Sequence, residues 1–366
     1  MQQLKVIVSG GGTGGHIFPA VAIAKALEKK TNNIEILFVG AKGRMEMIKV
    51  PLEGYVIEGL WISGLQRRLT VSNLFFPFKL ISSLYKAKKI INKFKPDIAI
   101  GTGGYASGPL LYMAARNNIP TLVQEQNSYP GLTNKILSKV VDKICVAYDK
   151  MECFFPKQKI IFTGNPIRQD VLDFANKKPL AIEKFDLSKN KKTILVIGGS
   201  LGARTINQVI DKNIDFFITN DLNLIWQTGV SYEERASEII TEKSQKGIQA
   251  YAFIKEMNLA FAAADIIISR AGAIAVSELC HIGKPCILVP SPNVAEDHQT
   301  KNAQAVVDKS AALLVKDNEA DSKLVNCLRD LCQDQSLQDE LSKNMKLLAV
   351  SDAAGKIAEE ALKLSN

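Results

Sequence analysis

A run of glycines followed at once by a histidine is the first part of the sequence that could carry chemistry. Residues 10–15 have the spacing GxGxxG directly after an apolar segment, and His16 comes next. Glycines let backbone N–H groups approach an anion or a sugar closely. A histidine at a helix N-terminus stays neutral and can accept a proton. The pattern predicts a ligand loop with His16 as candidate general base, a structural histidine being the alternative.

A second set of small and polar residues lies in the C-terminal half. Residues 269–278 (SRAGAIAVSE) follow an apolar segment, and their small side chains let a helix N-terminus lie against phosphate oxygens. Glu278 can accept two hydrogen bonds from a ribose diol, or simply complement the helix dipole. Residues 294–303 (VAEDHQTKNA) carry the side chains that bind sugar hydroxyls, or form a capped, solvated helix.

Several cofactors do not fit these loops. A dinucleotide site needs an acidic residue at the end of the second strand, but residues 34–39 run into Gly40-Ala41-Lys42. No GK[ST] follows either glycine turn, so a P-loop is excluded. The six cysteines form no CxxC pair, the three histidines lack ligand spacing, and there is no DxD pair. We therefore expect neither a cofactor nor a metal.

The elements that must hold these loops repeat along the chain. Apolar runs predict strands at residues 4–8, 34–39, 98–101, 121–124 and 144–147, and again at 193–197, 222–227, 248–253, 266–269 and 286–289. Helical stretches separate them, the first at residues 20–30. This predicts an α/β protein of two Rossmann-like, doubly wound domains, with the ligand in the cleft beyond the carboxyl ends of the strands.

Charge is distributed unevenly between the two halves. The chain has a formal net charge of +9, and its basic excess lies in residues 1–167. Such an excess suits nucleic acid or an anionic membrane, but no nucleic-acid-binding motif is present. Residues 59–96 contain no acidic side chain. They predict a peripheral membrane patch, or else a core-facing turn, from Leu74, Phe75, Phe76, Phe78, Lys79, Lys86, Lys88 and Lys89. We predict neither a signal peptide nor a membrane-spanning segment.

Seven motifs in order give the chain a specific resemblance. They are GGTGGHIFPA from Gly11, GTGGYASGP from Gly101, QEQNSYPGLTNK from Gln124, TGNPIR from Thr163, GGSLGAR from Gly198, SRAGAIAVSE from Ser269 and DHQTKNA from Asp297. With them the chain resembles glycosyltransferase family 28, the bacterial transferases that add N-acetylglucosamine to lipid I and so make lipid II. The resemblance implies a glycosyltransferase-B architecture, with domains at 1–167 and 168–349 and a C-terminal helix, at about 350–366, packed on the first.

The resemblance also implies which residues bind UDP-N-acetylglucosamine. They are Thr13, Gly14, Gly15, Asn127, Arg168, Ser200, Ile254, Ala273, Ile274, Ala275, Val276, Ser277, Glu278 and Gln299. Ile254 would hold the uracil through its backbone, and Glu278 the ribose. His16 would be the base, with Glu125 a second candidate, and Gln124 stands where many relatives carry histidine.

The implied reaction is an inverting transfer to the C4 hydroxyl of the N-acetylmuramyl group. The implied partners are undecaprenyl-linked lipid I, the anionic cytoplasmic face of the cell membrane, and proteins of wall synthesis and division; nucleic acid is not among them. Two alternatives share the architecture or the ligand: a UDP-N-acetylglucosamine 2-epimerase and a non-catalytic nucleotide-sugar-binding subunit.

Overall fold

The computed structural model describes residues 3–64, 75–199 and 202–365. The chain divides into two compact units, one of Met1–Ile167 together with Val350–Asn366, the other of Arg168–Ala349. Each unit is built on its own parallel sheet.

The strands follow each other along the chain with helices between them. The first sheet contains β1 (Leu4–Gly10), β2 (Ile34–Ala41), β3 (Val56–Leu60), β4 (Ile98–Gly103), β5 (Thr121–Glu125), β6 (Lys143–Val146) and β7 (Ile160–Phe162). The second contains β8 (Thr193–Ile197), β9 (Asn223–Gln227), β10 (Ile248–Tyr251), β11 (Ile266–Ser269), β12 (Cys286–Leu288) and β13 (Leu313–Leu314).

Helices lie between and after these strands in the described residues. They are α1 (Gly14–Lys30), α2 (Glu46–Leu52), α3 (Phe76–Phe94), α4 (Ser107–Arg116), α5 (Leu132–Leu137), α6 (Gln169–Leu172), α7 (Lys178–Lys184), α8 (Arg204–Lys212), α9 (Ile214–Thr219), α10 (Glu233–Lys243), α11 (Met257–Ala263), α12 (Ala273–Ile282), α13 (His298–Val307), α14 (Ala320–Gln333), α15 (Gln335–Leu347) and α16 (Ala353–Ser365).

Strand order explains where each unit can bind a ligand. The first sheet has the order β3-β2-β1-β4-β5-β6-β7, and the second has β10-β9-β8-β11-β12-β13. All of the described strand pairs are parallel. The order reverses between β1 and β4 in one sheet and between β8 and β11 in the other, which leaves a crevice at each of those points. The prediction of two doubly wound α/β domains is confirmed.

The central strands form because their side chains are apolar on both faces. Every residue of β4 and every residue of β11 is buried, as expected for strands covered by helices on both sides. The C-terminal helix α16 belongs to the first unit, where its Ile357, Ala358 and Ala361 join the same apolar cluster as α1. Lys30 of α1 also donates to Glu359 of α16 at 2.7 Å.

The structure differs from the sequence prediction at two kinds of place. Helix α1 begins at Gly14 rather than at residue 20, with the buried Pro19 inside it. The short strands β3, β7 and β13, which the apolar runs did not indicate, extend the sheets to their edges. The earlier start of α1 matters for chemistry because it places His16 inside the first turn of a helix.

Candidate functional site

The reversal point of the first sheet is formed by two glycine loops in direct backbone contact. The loop after β1 and the loop after β4 are joined by the N–H of Gly11, which donates to the carbonyl of Gly103 at 3.3 Å. Gly104 has φ +91°, and a Cβ there would lie 2.3 Å from the carbonyl oxygen of Gly11. Only glycine allows this approach, and it keeps the start of α1 open beside β4.

His16 lies in this crevice with one ring nitrogen already engaged. Its Nδ1 is 3.0 Å from the carbonyl oxygen of Gly11 and 3.3 Å from Oγ1 of Thr13. A carbonyl only accepts hydrogen bonds, so Nδ1 carries the hydrogen and Nε2 carries the lone pair. Burial lowers the pKa of His16, while the Gly11 carbonyl and the charge of Glu46 act in the opposite direction. The ring is therefore a neutral imidazole whose free nitrogen can accept a proton.

The backbone of β4 and its loop holds that ring in place. A Cβ on Gly103 would lie 2.8 Å from Cδ2 and 3.0 Å from Nε2 of His16, so the ring packs against the bare backbone there. The buried hydroxyl of Thr102 donates to the carbonyl oxygen of His16 at 2.7 Å. These contacts fix both the ring and the first turn of α1.

Glu46, which the sequence analysis did not single out, is a buried carboxylate in contact with the first glycine loop. It begins α2, is 1% exposed, and accepts from the N–H of Gly12 at 2.8 Å and from that of Ala41 at 2.9 Å. It thus takes the position after the second strand where an acid was sought for a ribose, but it binds protein backbone instead. In the sequence, an acidic residue soon after the second strand was the feature that could have indicated Glu46.

The helix start offers the predicted sugar-binding residues to solvent. Thr13 and Gly15 are exposed and Gly14 is half-buried, with Gly14 the first residue of α1. The N–H groups of Gly11 and Gly12 are engaged by Gly103 and Glu46. Any ligand of this loop is therefore bound by the residues from Thr13 onward.

Glu125 is tied into the loop that follows β5. It is 1% exposed, and its carboxylate accepts from Nδ2 of Asn134 at 2.8 Å, from N and Nδ2 of Asn127 at 3.0 Å each, and from the N–H of Gly131 at 3.1 Å. Burial raises the pKa of Glu125, and these donors oppose that rise. Both carboxylate oxygens accept from protein donors, and these bonds hold the loop around Asn127. Gln124, also buried, donates to Asn165 at 3.0 Å.

The reversal point of the second sheet also has a glycine turn. Gly202 has φ +78°, and a Cβ on it would lie 1.9 Å from the carbonyl oxygen of Thr228. The buried side chain of Gln227 bridges this turn to the segment after β10, since it donates to the carbonyl of Gly199 at 3.1 Å and accepts from the N–H of Ile254 at 3.0 Å. The N–H of Ile254 is thereby engaged within the protein. Ser200 lies outside the described residues.

Helix α12 begins at this point and carries Glu278. The helix starts at Ala273, after Gly272. Just before it, the N–H of Arg270 donates to the carbonyl of Ile197, at the end of β8, at 3.2 Å. The Glu278 side chain is 13% exposed, and its Oε1 lies 3.8 Å from Nε of Arg168. The two residues expected to bind different parts of the nucleotide are therefore neighbours.

Only some of the other α12 residues predicted to bind the nucleotide are accessible. Val276 is 1% exposed and packs in the apolar core of the second unit, because every third or fourth residue of the helix turns inward. The Ser277 hydroxyl donates back to the carbonyl of Ala273 at 3.0 Å. Ile274 and Ala275 are half-buried. These two and the backbone at Ala273 are the accessible part of the helix start.

Two polar side chains, those of Gln299 and Arg270, bond the loops beyond β12. Gln299 of α13 accepts from the N–H of Ser291 at 2.9 Å. Arg270 contacts Asp317 at 2.5 Å, and Asp317 also accepts from the hydroxyl of Thr205 at 2.9 Å. Arg270, at the start of the SRAGAIAVSE motif, therefore joins the loops to the start of α8.

Helix α3 carries an exposed apolar stripe followed by lysines. Phe78 and Ile81 are each 66% exposed and Tyr85 is 75% exposed, one turn apart along the helix. Phe75 is 52% exposed just before it. Lys88 and Lys89 are exposed on the next turn.

Three residues of the predicted membrane patch do not belong to the exposed stripe. Phe76 is half-buried and packs against the core of the first unit. Lys79 donates to the hydroxyl of Ser63 at 3.0 Å, and Lys86 donates to the carbonyl of Gly59 at 2.7 Å. Phe76 lies nearly opposite Phe78 on α3, about 160° around the helix, whereas Lys79 and Lys86 lie about 80–100° to the side of the exposed stripe. Leu74 lies outside the described residues.

The described residues contain neither a metal-binding cluster nor a membrane-spanning helix. In residues 3–64, 75–199 and 202–365, no group of three or more His, Cys, Asp or Glu side chains is arranged to hold a metal ion. In the same ranges no helix has the length and apolar character needed to cross a bilayer.

Comparison with known proteins gives the family. The transferase named UDP-N-acetylglucosamine–N-acetylmuramyl-(pentapeptide) pyrophosphoryl-undecaprenol N-acetylglucosamine transferase from Flavobacterium psychrophilum is 54% identical over 364 residues, which is 100% of this chain and 98% of that protein. The protein of the same name from Cytophaga hutchinsonii is 53% identical over 362 residues, 99% of this chain and 97% of that protein. A crystal structure of MurG from Acinetobacter baumannii superimposes with a TM-score of 0.80 at 26% identity, covering 99% of this chain and 100% of that one.

The domain models of one family match both halves of the chain. The model for the glycosyltransferase family 28 N-terminal domain matches residues 6–146, and that for the C-terminal domain of the family matches residues 193–357. The glycine loop with His16 falls in the first match, and the helix with Glu278 falls in the second. The chain belongs to glycosyltransferase family 28.

Proposed function

We propose that this protein is an inverting glycosyltransferase that moves N-acetylglucosamine from UDP-N-acetylglucosamine to the C4 hydroxyl of the N-acetylmuramyl group of lipid I. The product is lipid II, the disaccharide-linked precursor of peptidoglycan. The observation that carries the proposal is the 54% identity, over 100% of the chain, with a relative whose name states this transfer. The arrangement of polar groups at the two reversal points supports it.

His16 is the general base in this proposal. Its Nε2 accepts the proton of the C4 hydroxyl as the oxygen forms a bond to C1 of N-acetylglucosamine. The bond from C1 to the diphosphate oxygen breaks in the same step, so UDP leaves with the bonding pair and the configuration at C1 inverts. The neutral imidazole, with its hydrogen on Nδ1 toward the Gly11 carbonyl, suits this task.

The second unit holds the UDP in this proposal. The start of α12 and the glycine turn at 198–203 provide backbone N–H groups for the diphosphate, and Arg168 provides a positive charge for the leaving group. The Glu278 carboxylate accepts hydrogen bonds from the two ribose hydroxyls. Arg168 lies 3.8 Å from Glu278, so the two side chains can contact adjoining parts of one nucleotide, the diphosphate and the ribose. The Ile254 carbonyl accepts from the uracil ring.

The remaining contacts to the donor sugar in this proposal come from Thr13, Gly14, Gly15, Asn127 and Gln299. Thr13, Gly14 and Gly15 are accessible at the start of α1, and Asn127 is held at the loop after β5 by Glu125. Gln299 forms hydrogen bonds with the sugar hydroxyls. Its Oε1, which accepts from the Ser291 N–H, would exchange that bond for one to the sugar. Ser200 completes the diphosphate contacts. The positive charge needed by the leaving diphosphate comes from Arg168 and the helix start, so the proposed step uses no metal or other cofactor.

We further propose that the protein works as a peripheral protein on the cytoplasmic face of the cell membrane. Its acceptor carries an undecaprenyl chain, so the pyrophosphate to be reached lies at the bilayer surface. Phe75, Phe78, Ile81 and Tyr85 form an apolar surface too small to span a bilayer but suited to its interface. Lys88 and Lys89 meet anionic headgroups beside it. Proteins of wall synthesis and division are partners that this location would bring within reach.

A single assay separates this function from its two alternatives. The protein is incubated with UDP-N-acetylglucosamine, with and without a short-chain lipid I analogue, and UDP and the sugar products are measured. The transferase releases UDP only when the acceptor is present, with one disaccharide formed per UDP. Conversion of the nucleotide sugar to its 2-epimer without acceptor would instead identify the epimerase. Binding of the nucleotide sugar with neither product would leave only the non-catalytic subunit.

A further inference from the structure

One peptide unit of the first glycine loop connects two ionisable side chains. The carbonyl of Gly11 accepts from Nδ1 of His16 at 3.0 Å, and the N–H of the next residue, Gly12, donates to Oε2 of Glu46 at 2.8 Å. These C=O and N–H groups belong to the same planar amide. The amide is delocalised, so a negative charge at its N–H end increases the electron density on its oxygen.

From this geometry we propose that Glu46 is a positioning residue for His16 and acts through the Gly11–Gly12 peptide. The carboxylate polarises the amide, and the carbonyl then binds the Nδ1 hydrogen more strongly. This fixes the tautomer that leaves Nε2 free, and it stabilises the imidazolium that forms when Nε2 takes a proton. The arrangement resembles an acid–histidine pair in which a peptide unit stands between the two members. The inference rests on the proposed function, in which His16 is the base.

The surroundings of Glu46 show that its place in the loop is specific. Glu46 is 1% exposed, and a Cβ on Gly11 would lie 2.2 Å from its Oε1. A glycine is therefore required at Gly11 for the carboxylate to reach the loop. The same Oε1 accepts from the Ala41 N–H at 2.9 Å, which holds the carboxylate from the β2 side. A buried carboxylate held by two N–H donors is a charge-assisted arrangement of the stronger kind.

Within the described part of the chain, few other charged groups face His16. From α2 the ionisable neighbour is Glu46, whose charge favours protonation of the ring. From the loop after β4, Tyr105 lies beside the glycine loop, 3.9 Å from where a Cβ on Gly12 would stand. From β4 itself come Thr102 and Gly103, which carry no ionisable group. Within α1 there is no acidic residue in the first turn. Glu46 is thus the acid through which this site can be tested.

The first test uses NMR on the unaltered protein, without substrates, to follow the proposed coupling of Glu46 to His16 through the Gly11–Gly12 peptide. The Gly12 and Ala41 amide protons and the three imidazole rings are recorded across a pH titration. We expect His16 to be the Nδ1–H tautomer, and the Gly12 amide to shift with the same midpoint as the His16 ring. The Ala41 amide, bonded to the other oxygen of the same carboxylate, is the internal control and should move less. A Gly12 amide that ignores the His16 titration would overturn the proposal.

The second test removes the charge. In Glu46→Gln the His16 midpoint should move to lower pH, and the acid limb of the kcat/KM profile should move with it, while kcat falls about tenfold. Glu46→Asp keeps the charge and should restore most of both, whereas Glu35→Gln, a surface carboxylate of β2, should change neither. A fall in kcat with the pH limb unmoved would assign Glu46 a merely structural role. If Glu46→Gln does not fold, the Glu46→Asp variant and the wild-type titration still decide the question.

The NMR arm separates this inference from the proposed function. A Gly12 amide that titrates with His16 in a protein without transferase activity would support the coupling and reject the function. Transferase activity with an independent Gly12 amide would do the reverse.

Discussion

The exposed stripe of α3 gives the most quantitative prediction about where the protein works. Phe78 and Ile81 each expose 66% of their surface. Complete burial of such a side chain is worth about 1.5–3 kcal/mol, so burying two thirds of it in a bilayer interface is worth about 1–2 kcal/mol. The pair therefore contributes about 2–4 kcal/mol. At about 1.4 kcal/mol for each tenfold change, the double variant Phe78→Ser/Ile81→Ser should bind anionic vesicles about thirty-fold to several hundred-fold more weakly.

The assay is co-sedimentation with vesicles of anionic and of neutral lipid, at low and at raised salt. The matched control is Ile48→Ser/Leu52→Ser on α2, since these side chains are 67% and 74% exposed but lie outside the stripe. The control should bind vesicles like the wild type, and both variants should bind UDP normally. Raised salt should release the wild type from anionic vesicles, because Lys88 and Lys89 each contribute about 1 kcal/mol near a charged surface. Equal losses in the two double variants, or equal binding to neutral and anionic vesicles, would refute the assignment.

Four further predictions concern the two crevices and the loop after β5. Glu278→Ala should weaken UDP binding measured by calorimetry by about ten-fold to one hundred-fold, because a hydrogen bond to a charged group is worth about 1.5–3 kcal/mol; unchanged affinity would remove the ribose role. His16→Ala should lower turnover by about 10²–10⁴-fold with UDP affinity kept, and a variant with most of its turnover would exclude His16 as the base. In the wild type, burial lowers the pKa of His16, so the base stays deprotonated and kcat/KM should hold down to a pH below the ordinary 6.5; an acid limb above that value would contradict this. Glu125→Gln should lower the free energy of unfolding by about 1–3 kcal/mol in denaturant titrations, since donors of the loop lose an acceptor, and unchanged stability would contradict its structural role.

The central strands and both glycine turns were predictable from the sequence because their signals are local. Strands such as β4 and β11 are buried on both faces, so they appear as continuous apolar runs. The missed strands β3, β7 and β13 lie at the edges of their sheets. Edge strands are partly exposed, as Val56 of β3 is at 70%, so they do not require a continuous apolar run. Helix α1 was predicted to begin late because Gly14, Gly15 and Pro19 are poor helix residues in isolation.

Side-chain direction was the part that the sequence could not supply. Phe76 and Phe78 are two residues apart, and on a helix that spacing turns one to the core and the other to solvent. Composition alone had placed both in one patch, and it had passed over Ile81 and Tyr85. Glu46 was missed for a similar reason: its bond to Gly12 joins residues 34 positions apart, and only the packing of α2 beneath the glycine loop brings them together.

The stereochemistry of the product tests the proposed transfer most directly. The protein is supplied with UDP-N-acetylglucosamine carrying an isotopic label at C1 of the sugar and with a short-chain lipid I analogue, and the purified product is analysed by NMR and mass spectrometry. We expect the labelled sugar on O4 of the N-acetylmuramyl group, with the α linkage of the donor converted to a β linkage. A product that retains the α configuration, a linkage to another hydroxyl, or no disaccharide at all would contradict a single inverting displacement by that hydroxyl.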